Sequence, residues 1–317
     1  MSIIKMKDGK LIIRDVTLRE FGQNVPTGYL HIFNPMVRVE IAKRLLQAGI
    51  KEIELFSCIN PRIAPAMDEE ELEKIVNLLG RVENARIIVL VPNWRGYETF
   101  LRLELGPERY NYTLGLFFSA VEEHNRLNLG RSIEETVKEY QRIIKDACSK
   151  DISIFGYISA VFGYMGKAGL MEADPRVVNH YIDMLFDMGA EIVTISDLQG
   201  VADKIRTEKV IGEILKGRNE EEILRIAYHP HHISSSFAVE MSILAYRMGI
   251  RRFDASIGGT GGCITGAPGN QSTEDLIQGF ISNNIYIDID LKSILSLSHF
   301  VRSELYEKIP LAKSAPL

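Results

Sequence analysis

The sequence predicts an α/β fold, a (β/α)8 TIM barrel closed by a C-terminal helical cap. Three observations carry that prediction. Eight short apolar runs recur along the chain, the stretches between them have helical periodicity, and polar side chains able to do chemistry fall where the runs end.

In chain order the strand candidates are "LIIRDVTL" (11–18), "EIELFS" (52–57), "ARIIVLV" (85–91), "YTLGLFF" (112–118), "ISIFGYISA" (152–160), "EIVTIS" (191–196), "ILRIAY" (223–228) and "RRFDASI" (251–257). Most are rich in Ile, Val, Phe or Tyr, which pack well on a pleated, half-buried surface. Three segments, "LLQAGIKEIELFS", "LFDMGAEIVTIS" and "AYRMGIRRFDAS", share one joint, an amphipathic helix that stops at Gly49, Gly189 or Gly249 and passes into a strand. Glycine there supplies the left-handed conformation that ends a helix. Helix starts agree: Asn34-Pro35 and Asp174-Pro175 place a capping side chain before a proline, and Ser132 with Glu135 makes a capping box. Behind Ser132, Val137, Tyr140, Ile144 and Ala147 recur on one helical face.

An open doubly wound sheet is the competing architecture. It would place a glycine-rich phosphate loop after its first strand, and "TLREFGQN" is not one. No low-complexity linker divides the chain, so the barrel is expected over 1–280. Residues 281–317, with a helix in "LKSILSLSHFVRSELYEKI", are expected to cap the same domain.

Composition narrows the function. With 317 residues, 46% hydrophobic and 25% charged, the chain can bury a large core. The net charge is −5, the pI is near 5.9, and lysines and arginines are scattered among the acids. That pattern excludes nucleic acid and anionic membranes as partners. The first residues carry no signal-type apolar run, so a cytoplasmic location is expected. Cys58, Cys148 and Cys263 show no CxxC spacing and form an odd set, which points to reduced thiols.

Chemistry in such a barrel gathers at the C-terminal ends of the strands. After the first run come Arg19 and Glu20; the second carries Glu54 and ends at Ser57; the sixth leads to Asp197; the seventh leads to His229 and His231. Past the eighth lies "GGTGGCITGAPGNQSTED", with Cys263 and Asn270. His229 and His231 are two apart, so on a strand both imidazoles point to one face and can share an ion, whereas His232 points away. With Glu20 and the Asn270 side-chain oxygen, the set offers two nitrogens, two oxygens and no thiolate. It suits octahedral Mg²⁺ or Mn²⁺ better than a closed tetrahedral site, with Zn²⁺ or Co²⁺ as second choices.

The blocks "DVTLREFGQN", "IELFSCINPRIAPAMDEEEL", "PNWRGYE", "GYISAVFG", "HPHH" and "GGTGGCITGAPGNQSTEDL" resemble, in order and spacing, those of the 3-hydroxy-3-methylglutaryl-CoA lyases. Those enzymes are metal-dependent TIM barrels related to isopropylmalate, homocitrate and citramalate synthases. The resemblance implies that Glu20, His229, His231 and Asn270 hold a divalent metal ion, that Arg19 stabilises enolate charge, and that Glu54 is an acid within the site. Cys263 falls on the lyases' loop cysteine, Asp197 and Glu274 on supporting acids behind the ligands, and Gln23 and Tyr157 on substrate-side groups. Three departures stand out. The lyases usually have aspartate where this chain has Glu20, as homocitrate synthases have glutamate; the loop from Cys263 to Asn270 is two residues shorter than theirs; and "NVPTGYLHIF" is longer and lacks the lysine they carry after the Gln-Asn pair. The last two fall where substrate would sit.

The implied reaction is metal-dependent cleavage of a carbon–carbon bond in a 3-hydroxyacyl-CoA such as hydroxymethylglutaryl-CoA, a retro-Claisen step. One alternative is a synthase joining an acyl-CoA to a 2-oxo acid. Another, of a different class, is a barrel that binds metal and acyl-CoA without turnover. By analogy with the family, the chain is expected to form a homodimer.

Overall fold

A computed structural model describes residues 10–261 and 268–310. Eight parallel strands close into a barrel in the order β1-β10-β9-β8-β5-β4-β3-β2. Their ranges are β1 Ile12–Asp15, β2 Glu52–Ser57, β3 Arg86–Val91, β4 Thr113–Ser119, β5 Ile154–Ser159, β8 Ile192–Asp197, β9 Ile226–Pro230 and β10 Arg252–Ala255. Each lies within or beside one of the eight apolar runs. A short antiparallel hairpin, β6 (Tyr164–Gly166) and β7 (Gly169–Met171), follows β5 outside the barrel.

Closure pairs β1 with both β2 and β10, so Arg14 faces Glu52 on one side and Asp254 on the other. One core cluster runs from Leu11 to Ile309. The C-terminal helix Leu291–Val301 and the turn Arg302–Tyr306 bury Ile294, Leu297, Val301 and Leu305 in that cluster.

The local signals act as their chemistry requires. Asn34 and Asp174 accept backbone N–H groups of Val37 and Arg176 at 3.2 and 2.9 Å, and both arms of the Ser132–Glu135 capping box form. Gly49, Gly189 and Gly249 adopt φ of 103°, 115° and 122°. At Gly49 a Cβ would also stand 2.8 Å from the Asp288 carbonyl oxygen.

Two boundaries differ from the pattern, and both set the site. The first run was expected to extend to Leu18, but β1 stops at Asp15 and Thr17–Gly22 is a helix. The Asp15 carboxyl accepts the Thr17 N–H at 3.0 Å and turns the chain, a side-chain competition with the ladder that strand propensity does not register. Arg19 and Glu20 therefore sit on a short helix above the barrel. The seventh run begins with a helix, Glu220–Leu224, held by an Asn219–Glu222 capping box, so β9 runs later and contains His229.

Candidate active site

At the C-terminal ends of the strands a cavity of about 280 Å³ is lined by Arg19, Glu20, Gln23, Leu90, Phe117, His124, Tyr157, Thr194, His229 and His231, among others. One atom each of Glu20, His229 and His231 lies within 4.8 Å of the others, and all three residues are buried. The two Nε2 atoms are 2.8 Å apart. His231 Nδ1 lies 3.0 Å from the Pro268 carbonyl oxygen, which can only accept, so Nδ1 carries the proton and Nε2 a lone pair. His229 Nδ1 lies 2.9 Å from Asp254 Oδ2, and the carboxylate fixes the same tautomer there. Two lone pairs thus converge beside a carboxylate, an arrangement that suits a bound cation and is unfavourable without one.

Charge points the same way. Arg14, Arg19 and Arg252 face four carboxyl groups, those of Glu20, Glu52, Glu54 and Asp254, with all seven residues buried. One excess buried carboxyl next to paired imidazoles fits a divalent ion. Burial opposes the charge on Glu20, but the Arg19 guanidinium beside it holds its carboxyl below the usual range. Arg19 donates from Nε to Glu54 at 2.7 Å and pairs with Glu20. Burial works against its charge too, yet the two glutamates hold it protonated.

Asn270 lies beside these residues. Its backbone bridges to His231 and its Nδ2 donates to the Thr260 carbonyl at 3.0 Å. Gly261, with φ of 101°, passes between: a Cβ there would stand 2.6 Å from Glu20 Cβ and 2.7 Å from Asn270 Nδ2. Gln23 donates to Ser57 Oγ at 3.2 Å on the cavity wall. Tyr157 is buried there too, over Arg14 at 5.3 Å, and burial pushes its phenol well above the ordinary value.

The structure brings together Arg19, Glu20, Gln23, Glu54, Tyr157, His229, His231 and Asn270. Two candidate acids stand further back. Asp197 accepts the N–H groups of Val201 and Ala202 at 3.0 and 2.9 Å, and its carbonyl accepts the His231 N–H at 3.1 Å, so it shapes the backbone that carries His231. Burial raises its carboxyl to about 6. Glu274 accepts the Gly258 N–H at 3.0 Å and the Ser298 hydroxyl, tying the chain after β10 to the C-terminal helix. His232 turns from the cavity and packs on Phe237 at 4.3 Å. Cys263 lies outside the described residues.

Sequence reasoning passed over Asp254, the partner of His229, and Arg14, which pairs with Asp254 and Glu52 at 3.3 and 3.2 Å. The available signal was charge inside apolar runs: Arg14, Glu52, Glu54, Arg252 and Asp254 all sit within strands.

Burial lowers the His231 pKa from 6.5 to about 3, with His229 adding to the shift. A depressed histidine stays neutral in the fold while the unfolded chain takes up a proton, so stability falls as pH drops from about 6.5 towards 3. In metal-free protein, urea titrations across that window should lose about 1 kcal/mol per pH unit more than the same series on His231→Asn. Parallel pH curves for the two proteins would contradict a buried neutral His231.

The profile of the HMGL-like family matches residues 10–301. The chain is 29% identical over 317 aligned positions to (R)-citramalyl-CoA lyase of Chloroflexus aurantiacus, covering 96% of this chain and 95% of that one. It is 27% identical to a hydroxymethylglutaryl-CoA lyase of Bacillus subtilis, covering 95% of each. A crystal structure of the Bacillus subtilis HMG-CoA lyase superposes with a TM-score of 0.82 at 26% identity, over 95% of this chain and 96% of that one. No helix among the described residues is long and apolar enough to cross a membrane.

Proposed function

The chain belongs to the HMGL-like family, and from that premise we propose that it is a divalent-metal-dependent carbon–carbon lyase that cleaves a 3-hydroxyacyl-CoA. The observation that carries the reading is the pair of Nε2 lone pairs, 2.8 Å apart, facing Glu20. Glu20, His229, His231 and Asn270 would hold the ion, Mg²⁺ or Mn²⁺ by the hardness of the oxygen donors. When bound, the ion supplies Lewis-acid polarisation of the substrate hydroxyl.

The remaining work falls to the chain. Glu54, buried and held by Arg19, would take or hold the hydroxyl proton. As the hydroxyl becomes a ketone, the bond between the hydroxyl carbon and the carbon next to the thioester breaks. Its electron pair passes into a thioester enolate. The Arg19 guanidinium, prevented from wandering by two glutamates, would stabilise the negative charge that develops there. A proton delivered to the enolate carbon completes the acyl-CoA product, and the resemblance gives that delivery to Cys263. Leu90, Phe117 and Leu198 form an apolar wall that limits water around the enolate.

Two substrates stand out, hydroxymethylglutaryl-CoA and citramalyl-CoA, because lyases named for them align over nearly the whole chain. Mass spectrometry of products from metal-loaded protein distinguishes them. Acetyl-CoA with acetoacetate is expected from the first, and acetyl-CoA with pyruvate from the second. Free CoA and a new hydroxy diacid, formed only from acetyl-CoA plus a 2-oxo acid, would replace the lyase reading with a condensing one.

A further inference from the structure

We propose that Tyr306, in the C-terminal segment, is a positioning residue that fixes the amide of Asn270 with its oxygen towards Glu20, His229 and His231; this rests on the metal reading above. An asparagine amide can present oxygen or nitrogen to a cation by a half-turn, and only the oxygen ligates. The partner of its nitrogen makes the choice. Here that partner is the Thr260 carbonyl, which accepts from Nδ2 at 3.0 Å and would repel a flipped oxygen.

The Asn270 orientation therefore depends on where Thr260 is held, and nearby residues hold it only in part, through a 3.3 Å bond from its Oγ1 to the Ile257 carbonyl and the Ser256 hydroxyl on its own carbonyl. Gly258, Gly259 and Gly261 flank it with φ of 68°, 68° and 101°, a stretch with few intrinsic constraints. A further anchor comes from far along the chain. The Tyr306 hydroxyl donates to the Ile257 carbonyl at 2.6 Å and hydrogen-bonds Thr260 Oγ1. Its ring is wedged between Phe21, at 5.2 Å between centroids, and Gly258, where an added Cβ would stand 3.0 Å from the ring. Ser256 Oγ gives the Thr260 carbonyl a second hold at 2.5 Å, so losing the tyrosine hydroxyl should loosen the ligand without releasing it.

The test is Mn²⁺ titration followed by electron paramagnetic resonance, on wild type, Asn270→Ala, Tyr306→Phe and the double variant. Asn270→Ala is expected to weaken binding about 10-fold or more, and Tyr306→Phe about 5- to 10-fold, near the lower end for residues that orient a ligand. The double variant should bind no more weakly than Asn270→Ala, because the hydroxyl acts through that amide. Wild-type affinity in Tyr306→Phe, or losses that multiply in the double variant, would overturn the proposal. If Tyr306→Phe does not fold, Thr260→Val removes the Oγ1 that bonds Tyr306 and the Ile257 carbonyl, and is held to the same outcomes. Equal Mn²⁺ binding by wild type and His231→Ala would instead sink the metal reading itself.

Discussion

Replacing His231 by alanine is expected to abolish tight divalent-cation binding and to lower kcat/KM for the cleaved acyl-CoA by about 10³-fold or more, roughly 4 kcal/mol of transition-state stabilisation. The barrel should remain folded. His231 follows the end of β9, and its backbone is held independently of the ring, by its N–H to the Asp197 carbonyl at 3.1 Å and by the bridge to Asn270. Of the four proposed ligands, removing the imidazole leaves one nitrogen donor, the Glu20 carboxylate and the Asn270 amide. Changes to groups that merely orient a ligand cost 10- to 100-fold in metal affinity, so loss of an imidazole, a stronger donor than an amide oxygen, should exceed that. Binding is read by Mn²⁺ titration and turnover by ketone release. Retained wild-type affinity would mean that the ion is held elsewhere.

The second large effect concerns folding. Arg14→Met should destabilise the protein by about 3–5 kcal/mol, measured by urea denaturation. Arg14 is fully buried inside the barrel, pairs with Glu52 and Asp254, donates to Thr194 Oγ1 at 2.9 Å, and lies over Phe155 at 5.0 Å. Burial opposes its charge, and Asp254 with the glutamates more than offsets this. Methionine fills much of the volume but strands the carboxylates. Arg252 still reaches Glu52 at 2.5 Å, and Arg19 still reaches Glu54, but among the described residues Asp254 keeps only His229 as a side-chain hydrogen-bond partner. Adding Asp254→Asn to Arg14→Met should recover part of the loss, whereas a packing defect would not be relieved. A cost below about 1 kcal/mol would show that the barrel tolerates the stranded acids.

Much of this protein was legible in its sequence because the relevant physics is local. Strand runs and helix faces follow from periodicities of two and 3.6, the glycine joints from φ above zero, and the caps from side chains two or three residues from the N–H groups they satisfy. The two imidazoles share a face because they are two positions apart on extended chain, so the pair could be read without coordinates. What only the tertiary structure decided is which distant groups stand behind that pair. Barrel closure sets β1 against β10, so Arg14 meets Asp254 across 240 positions, and Arg252 meets Glu52 across 200. Asp254 became the partner of His229, and Tyr306 the anchor of Thr260, by the same closure and by the packing of the C-terminal helix. Neither contact leaves a periodic trace, because a buried ion pair or a phenol reaching a carbonyl is specified by the meeting of two surfaces and by neither segment alone.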